Sequence, residues 1–323
     1  MVERAITPAV AQALVGNAVP GFRVTGVAAR GGGEVHRVYE VRGTGPDRPL
    51  VVKVYDERWP SAADHWRSKL CKEVFVYGLL TRHGIQAIPR VLRHEPAGVP
   101  ALPSAFAVMT VLDGQPLSTV ADQLDVRDTD RVYEHLGRLL AVVHQIRARR
   151  WGHIATGLVD VKPSNTAYMR DRFATLLRRF TRLGAERPLA DAISRHVGRH
   201  ADLFAACQQP TLCHNDFHQG NVLVARDGPE WRVSGYVDVE NAVAADPLLD
   251  LAKTDYYALR DQTARRRAFL RGYGSLPDDW AERLAIYRLH HAVEFWNWSA
   301  GTGKADLLPA IRLDVEELLS ARP

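Results

Sequence analysis

Residues 213–224 read CHNDFHQGNVLV, and a second stretch of the same kind, DVKPSN, lies closer to the N-terminus. Both place an asparagine five residues after an aspartate: Asn221 after Asp216, and Asn165 after Asp160. Catalytic loops that transfer phosphoryl groups use this spacing, with the aspartate accepting a hydroxyl proton and the asparagine holding a metal ion. At most one stretch can have this role, so the residues that follow must decide.

The segment after Asn221 has the pattern of a β-hairpin that ends in a carboxylate. It reads NVLVARDGPEWRVSGYVD, in which two β-prone runs flank a turn containing Asp-Gly. If Asn221 and Asp238 face each other, the midpoint between them falls within a residue of this turn, so the hairpin should bring both side chains together. One amide oxygen and one carboxylate suit Mg²⁺, which takes few protein ligands besides phosphates and water. The stretch around Asp216 is therefore predicted to be the functional loop.

The segment after Asn165 lacks such a hairpin. It reads TAYMRDRFATLLRRF, the pattern of a basic amphipathic helix without a turn signal. The next carboxylate, Asp171, falls within this predicted helix. DVKPSN is therefore predicted to be a surface loop whose Pro163 and Ser164 lead into the helix.

The N-terminal part of the chain predicts a small sheet that contains one lysine. A glycine triplet lies at the first turn of a predicted antiparallel meander, and the strand LVVKVY that follows is apolar apart from Lys53. A lysine in such a strand is costly unless it is paired. Glu73, twenty residues later on a helix predicted over 62–83, is the expected partner.

The order of the predicted elements gives an α+β chain with two lobes. Strands predominate up to about residue 112 and helical patterns after it, with the hairpin at 221–238 as the one exception. We therefore expect a small antiparallel-sheet N-lobe over residues 1–112 and a larger, mostly helical C-lobe over residues 113–323.

Composition and charge exclude several classes of protein. Hydrophobic residues make up 46 % of the 323 residues, which supplies a sizeable core, and no run approaches the length of a membrane span. The N-terminal stretch has no apolar region of the signal-peptide kind, so a cytoplasmic protein is predicted. The net charge of +5 comes with arginine clusters spaced as on helix faces, which argues against a nucleic-acid partner. The three cysteines are scattered and define neither a disulfide nor a metal site, and the oligomeric state stays open.

The motifs together resemble those of one enzyme superfamily. HNDFHQGN at 214–221 and YVDVENAVAADPLLDLA at 236–252 are similar to the motifs of the aminoglycoside phosphotransferase and choline kinase superfamily, whose members have a protein-kinase-like fold. Asn215 and Ala245 stand where the superfamily usually has glycine, and neither departure removes a catalytic group. The resemblance implies a bilobal protein-kinase-like fold for this chain.

The resemblance also implies a role for each residue of the loop and hairpin. Asp216 would be the base that aligns and deprotonates the acceptor hydroxyl, and His214 would brace the loop. Asn221 and Asp238 would bind Mg²⁺.

The nucleotide site implied by the resemblance lies mainly in the N-lobe. Lys53, paired with Glu73, would hold the triphosphate of ATP or GTP. The glycine-rich loop would cover the phosphates, and backbone groups of the connector between the lobes would meet the purine. These further residues are Gly31, Gly32, Gly33, Met109, Thr110 and Val111.

A helix predicted over 287–301 is the best candidate for a wall of the acceptor pocket. His290, Glu294 and Trp298 share one face of it at i, i+4, i+8 spacing, although part of this aromatic segment must be core. A polycationic acceptor usually needs an acidic wall, but the chain from Asp246 onward has twelve acidic and eleven basic residues. The sequence therefore predicts an acceptor with at most a few positive charges.

The function expected from these features is an ATP- or GTP-dependent O-phosphotransferase that uses Mg²⁺ and acts on a small molecule with a free hydroxyl. An antibiotic or another natural product is the expected acceptor, because much of the superfamily acts on such compounds. A metabolite kinase for an amino alcohol or sugar is the main alternative, and a regulatory pseudokinase that only binds nucleotide is a minor one.

Overall fold

The computed structural model of the chain describes residues 6–30, 36–45, 49–55 and 69–320. The glycine triplet at 31–33 and the first part of the helix predicted over 62–83 lie outside these residues.

The N-terminal part is a five-stranded antiparallel sheet with two helices. The strand order is β1-β2-β3-β5-β4, so the lysine-bearing strand β3 lies in the middle, between β2 and β5. In chain order the elements are α1 (Pro8–Gly16), β1 (Arg23–Arg30), β2 (His36–Thr44), β3 (Leu50–Tyr55), α2 (Lys69–Arg82), β4 (Val91–Glu95) and β5 (Phe106–Thr110). Every residue of β3 except the partly exposed Val51 is buried, so Lys53 lies in the interior of the protein.

The C-terminal part is mostly helical, as predicted. Its helices are α3 (Val126–Val143), α4 (Asn165–Arg182), α5 (Arg187–Arg199), α6 (Ala201–Ala205), α7 (Pro247–Thr254), α8 (Thr263–Tyr273), α9 (Trp280–Gly301) and α10 (Leu308–Ser320). Its strands are β6 (Gln115–Pro116), β7 (Trp151–Ile154), β8 (Leu158–Lys162), β9 (Thr211–Cys213), β10 (Val222–Asp227), β11 (Glu230–Tyr236) and β12 (Val243–Ala245). No helix in the described ranges is long and apolar enough to cross a membrane.

The expectation that only one hairpin interrupts the helices is wrong. A second hairpin, β7–β8, joins β12 and β9 in a four-stranded sheet of order β8-β7-β12-β9, and β6 pairs with β10. These strands are two to five residues long, and most of their partners lie far away in sequence, for example Val243 opposite both His153 and Cys213. Local periodicity cannot reveal pairings of this kind, because each strand is shorter than a reliable alternating pattern.

Candidate active site

The loop that follows β9 has the backbone shape that its sequence requires. Asn215 has a φ of 57°, in the left-handed region that glycine adopts freely and asparagine tolerates better than other residues. This conformation explains why asparagine can replace the glycine of the superfamily motif. His214 is buried, and its Nε2 lies 3.3 Å from the carbonyl oxygen of Val237, which can only accept a hydrogen bond. His214 therefore ties the loop to the end of β11.

Two amide groups fix the carboxylate of Asp216 on one side. Asn221 Nδ2 and Asn241 Nδ2 donate to Asp216 Oδ2 at 3.3 and 3.2 Å. The other oxygen, Oδ1, faces the Nζ atom of Lys253 and the Nε2 atom of His218, each at 3.8 Å. One oxygen is thus held in place, while the other has no close hydrogen-bond donor among the described residues and is suited to accept a proton.

The hairpin β10–β11 brings Asn221 next to Asp238, as its turn signal indicates. Val237 N donates to Asn221 O at 2.9 Å, and the register places Val222 opposite Tyr236. The amide nitrogen of Asn221 donates to Asp216. The amide oxygen of Asn221 takes no part in these hydrogen bonds. Asp238 has a φ of 66° and a partly exposed carboxylate.

The predicted lysine–glutamate pair is present in the interior of the site. Lys53 Nζ lies 2.7 Å from Glu73 Oε2, 3.1 Å from Asp238 Oδ1 and 3.8 Å from Glu240 Oε2. Burial alone would lower the pKa of Lys53, but these carboxylates outweigh burial and raise it, so the lysine is charged.

The donor atoms around Asp238 fit a divalent cation. Besides Lys53, Glu240 contacts Lys69 Nζ at 2.8 Å and His36 Nε2 at 3.0 Å. Burial raises the pKa of Glu73 to about 7, because the charge of Lys53 is shared among several carboxylates and only partly offsets that burial. A cluster with more carboxylates than nearby ammonium groups, and with an amide oxygen beside it, is the kind of oxygen-rich site that Mg²⁺ prefers.

Several residues of the candidate site were not predicted from the sequence. Glu240 lies two residues after Asp238 and Asn241 three, and the motif that contains them gave neither residue a role. Neither Lys69 nor Lys253 was part of a motif that indicated its contact. Each contacts a carboxylate more than 30 residues away in the sequence. Their scarcity was the one available signal, because only six of the 42 basic residues are lysines.

A buried aspartate supports the loop from below. Asp250 Oδ2 accepts hydrogen bonds from His214 N at 2.5 Å and from His144 Nε2 at 3.1 Å, and Oδ1 accepts one from Asn215 N at 2.9 Å. Burial alone would raise the pKa of Asp250, but the hydrogen bond from His144 and the neighbouring charges lower it. The backbone of the loop is therefore anchored to an ionised carboxylate on α7.

Replacing Asp250 with alanine should destabilise the protein strongly, since three buried donors would lose their acceptor. We expect a loss of roughly 3–5 kcal/mol in the free energy of unfolding, measured by urea denaturation. Asp261→Ala is the matched control, because that carboxylate is 83 % exposed and Arg260 is its one ion-pair partner among the described residues. The control should stay within about 0.5 kcal/mol of the unsubstituted protein. Equal stability of both variants would contradict the anchoring role of Asp250.

The competing stretch DVKPSN has a structural role. Asp160 lies in β8, a short strand rather than the expected surface loop, while Ser164 caps α4 by accepting a hydrogen bond from Ala167 N at 3.1 Å. Asn165 is buried, and its amide donates to Phe204 O and Tyr287 Oη at 3.0 and 2.8 Å. Its side chain is thus used in the core of the C-terminal part.

The candidate nucleotide-contacting backbone lies at the end of β5. Met109 is buried, and Thr110 N already donates to Arg90 O at 3.0 Å. Val111 follows the strand, and its backbone makes no hydrogen bond to the described residues. Of the three predicted connector residues, Val111 is therefore the one best placed to offer free backbone groups to a purine.

The candidate acceptor residues on α9 have different surroundings. His290 is 2 % exposed and its ring meets Phe173 edge-on at 5.3 Å, so it belongs to the core and is covered by neighbouring side chains. Glu294 is half-buried and paired with Lys253 Nζ at 3.0 Å. Trp298 is half-buried and stacks on Phe295 at 5.8 Å between ring centroids. Of the two aromatic candidates, Trp298 is thus the one that is not buried, and Lys304 Nζ lies 3.9 Å from its ring centroid.

Fold and site together define a kinase-like phosphotransferase: a small antiparallel sheet with a paired lysine, and a mostly helical part with an Asp-Asn loop and a hairpin that ends at Asp238. The family model of the phosphotransferase enzyme family matches residues 26–286, and the chain belongs to this family. Enzymes of this family transfer phosphoryl groups. The chain is accordingly a phosphotransferase with an alcohol group as acceptor. None of the curated proteins matches the chain in sequence.

Solved structures with the same fold cover nearly the whole chain at low sequence identity. Aminoglycoside phosphotransferase APH(4)-Ia, as a thermostable mutant in complex with ADP and hygromycin B, has a TM-score of 0.69 at 15 % identity over 97 % of this chain and 99 % of that one. The GDP complex of aminoglycoside 2'-phosphotransferase-IIIa has a TM-score of 0.67 at 14 % identity over 98 % and 99 %. A protein of Thermobifida fusca assigned as a fructosamine-3-kinase has a TM-score of 0.64 at 18 % identity over 97 % and 98 %.

Proposed function

We propose that the chain is an ATP- or GTP-dependent O-phosphotransferase that transfers the γ-phosphoryl group to a hydroxyl of an antibiotic or another natural product. The observation that carries the proposal is a pair of contacts at the two ends of one hairpin: Asn221 Nδ2 donates to Asp216 Oδ2, and Lys53 Nζ lies 3.1 Å from Asp238 Oδ1. A base, oxygen ligands for a metal ion and a charged lysine are the groups that phosphoryl transfer to a hydroxyl requires.

Each residue has one task in this reaction. Asp216, whose Oδ2 is held by two amides, offers Oδ1 to the acceptor hydroxyl and takes its proton. Lys53 binds oxygens of the triphosphate, and Glu73 keeps its ammonium in place. Mg²⁺, bound by Asn221 and Asp238, would neutralise charge on the triphosphate when present. Catalysis then consists mainly of positioning and electrostatic stabilisation.

The experiment that tests this function is a screen of hydroxylated antibiotics and metabolites for release of nucleoside diphosphate. ATP and GTP are supplied in separate arms, since the described relatives bind adenine and guanine nucleotides. The mass of the product must rise by one phosphoryl group. A protein that binds neither nucleotide and releases no diphosphate would contradict the proposal.

The acceptor is proposed to lie against an aromatic surface formed by Tyr257, Phe295 and Trp298. Tyr257 meets Phe295 edge-on at 5.1 Å, and Phe295 stacks on Trp298, so the three half-buried rings are continuous. Tyr257 lies in a π-helical turn, Asp255–Leu259, a feature often found at functional sites. Burial, followed by the charges of Glu294 and Asp216, raises the pKa of Tyr257. Lys253 Nζ, which lies 3.8 Å from Asp216 Oδ1, is 5.7 Å from the centroid of the Tyr257 ring. Such a surface suits a flat or sugar ring.

Charge restricts the acceptor further. Glu294 is held by Lys253 at 3.0 Å and faces Arg172 at 3.8 Å, so its carboxylate is already neutralised by the protein. It therefore offers little to a polycationic substrate. We propose an acceptor with at most a few positive charges, such as a natural product of the nucleoside, peptide or cyclitol type. Efficient turnover of a kanamycin-like polycation would contradict this restriction.

Replacing Trp298 with alanine should raise the KM for the acceptor at least tenfold, because removing a stacking ring costs about 1–3 kcal/mol of binding. The KM for the nucleotide should change less than twofold, since Trp298 does not belong to the Lys53 cluster. Steady-state kinetics with the acceptor found in the screen measure both constants. Unchanged acceptor kinetics would assign this face of α9 to the core of the protein.

A metabolite kinase for a sugar derivative or amino alcohol is the second candidate. The similarity to the Thermobifida fusca protein assigned as a fructosamine-3-kinase favours it. The same screen separates the two, because a metabolite kinase should prefer small polyols and amino sugars over large ring systems.

A further inference from the structure

A second buried ammonium group lies beside Asp216, away from the Lys53 cluster. Lys253, near the C-terminal end of α7, places Nζ 3.8 Å from Asp216 Oδ1 and 3.0 Å from Glu294 Oε2. Its side chain is only 11 % exposed. Burial alone would lower the pKa of Lys253, but Glu294 and Asp216 raise it, so the group is charged.

Glu294 is in turn fixed from several directions. Its Oε2 accepts from Lys253 and lies 3.1 Å from His291 Nδ1, and its Oε1 lies 3.8 Å from Arg172 Nη2. Burial would raise the pKa of Glu294, but the neighbouring charges, Lys253 first, lower it well below its usual range. An ionised, immobilised carboxylate thus holds the ammonium of Lys253 at the tip of Asp216.

A cation at this place is unexpected if Asp216 only accepts a proton, since a nearby positive charge makes a carboxylate a weaker base. The position makes sense once a phosphoryl group is present. In-line transfer brings a group with three charged oxygens to within a few ångströms of Asp216. Two negative groups at such a distance repel each other in a partly buried site, and a cation between them removes this repulsion.

The presence of lysine rather than arginine at position 253 also supports contact with the phosphoryl group. Only six of the 42 basic residues are lysines, yet Lys53, Lys69 and Lys253 are all paired with carboxylates of this site. Lysine is a compact point charge that can turn towards a moving phosphoryl oxygen, whereas arginine is a rigid fork suited to a fixed partner.

We propose that Lys253 is a further catalytic residue whose ammonium binds an oxygen of the phosphoryl group during transfer, and that Glu294 is its positioning residue. This inference rests on the proposed function. The acceptor oxygen forms a bond to the γ-phosphorus while the bond from that phosphorus to the nucleoside diphosphate breaks, and the diphosphate oxygen takes the electron pair. The acceptor proton passes to Asp216, and Lys253 keeps its own proton throughout.

The first test needs no identified acceptor. Lys253→Met and Lys253→Arg are compared with Lys162→Met, a control that removes a lysine bound to the exposed Asp171. Hydrolysis of Mg-ATP by water is measured together with the affinity for ADP plus aluminium fluoride, a mimic of the transferred phosphoryl group, and the affinity for ADP alone. We expect Lys253→Met to lower hydrolysis and the fluoride-dependent affinity by about 10²-fold, with ADP affinity within about threefold. Lys253→Arg should recover only part of the loss, and the control should change neither.

The second test separates a catalytic lysine from a structural ion pair. An ion pair that only stabilises the fold can be replaced by two apolar residues without loss. The double variant Lys253→Met/Glu294→Leu should therefore regain thermal stability relative to Lys253→Met but stay equally slow. Glu294→Gln, which frees Lys253 without removing it, should reduce the fluoride-dependent affinity by a smaller factor.

The outcomes distinguish the inference from the function on which it rests. Recovery of hydrolysis in the double variant, or unchanged aluminium fluoride affinity in Lys253→Met, would overturn the role of Lys253 while leaving the phosphotransferase intact. If the unsubstituted protein bound no nucleotide at all, the proposed function would fail first, and the inference with it.

Discussion

Asp216→Ala is expected to reduce phosphoryl transfer by roughly 10²- to 10⁴-fold, the usual contribution of a positioned general base. The fold should be retained, because the loop is anchored through backbone groups to Asp250 and not through the Asp216 side chain. Nucleotide affinity should change little, since Asp216 makes no contact with Lys53 among the described ion pairs. Single-turnover kinetics give the rate of transfer, and titration with nucleotide gives the affinity.

The matched control is Asp160→Ala in the stretch that shares the Asp-Asn spacing. Asp160 lies in β8, and its partner Asn165 is committed to Phe204 and Tyr287, so most of the activity should survive. Asp160 has a φ of 51°, which alanine tolerates poorly, and the pair Asp160→Asn and Asp216→Asn therefore serves as a second comparison. A larger loss of activity at Asp160 than at Asp216 would mean that the wrong loop has been assigned.

The contacts that the sequence predicts correctly depend on local signals. The Asp-Gly turn brings Asn221 to Asp238 through a hairpin of adjacent strands. Lys53 lies on β3 and Glu73 on α2, the next helix that the structure describes, and their contact spans only twenty residues of chain. In both cases one short-range feature decides the geometry.

The parts that the sequence does not predict depend on packing between distant segments. Lys253 meets Glu294 across 41 residues, and Lys69 meets Glu240 across 171. Helical spacing predicts that His290 and Glu294 share one face of α9. It does not predict that His290 is covered, because the covering ring, Phe173, comes from α4. No periodicity in α9 itself contains that information.

The site also shows why a departure from a family motif need not alter the backbone of the loop. Asn215 replaces glycine where the backbone is left-handed, and asparagine is among the few residues that accept this conformation at modest cost. The side chain adds a contact that glycine lacks, because Asn215 Nδ2 donates to Asn241 O at 3.2 Å. Asn241 in turn donates to Asp216, so the replacement helps to hold a neighbour of the proposed base.

Removing divalent metal with excess chelator is expected to abolish activity, with recovery on addition of Mg²⁺ or Mn²⁺. The physical reason lies in the charge around Lys53, which faces Glu73, Asp238 and Glu240 within 3.8 Å. Three carboxylates face only two ammonium groups, Lys53 and Lys69, among the described residues of this cluster, so a triphosphate approaching it without a metal ion would meet an excess of negative charge. Full activity in excess chelator would contradict the kinase mechanism.

Asp238→Asn should abolish transfer while only partly reducing nucleotide affinity, because Lys53 stays in place through its 2.7 Å contact with Glu73. Binding of Mn²⁺, followed by electron paramagnetic resonance, provides a measurement independent of activity and should weaken at least tenfold. The matched control is Asp227→Asn at the tip of the same hairpin, where the carboxylate is 77 % exposed and lies 3.8 Å from Arg232. The same hairpin would then carry two aspartates of which only one affects the metal ion. Equal Mn²⁺ affinity in the two variants would instead mean that the metal ion does not bind at Asp238. The excess negative charge around Lys53 would then have to be balanced by a different cation.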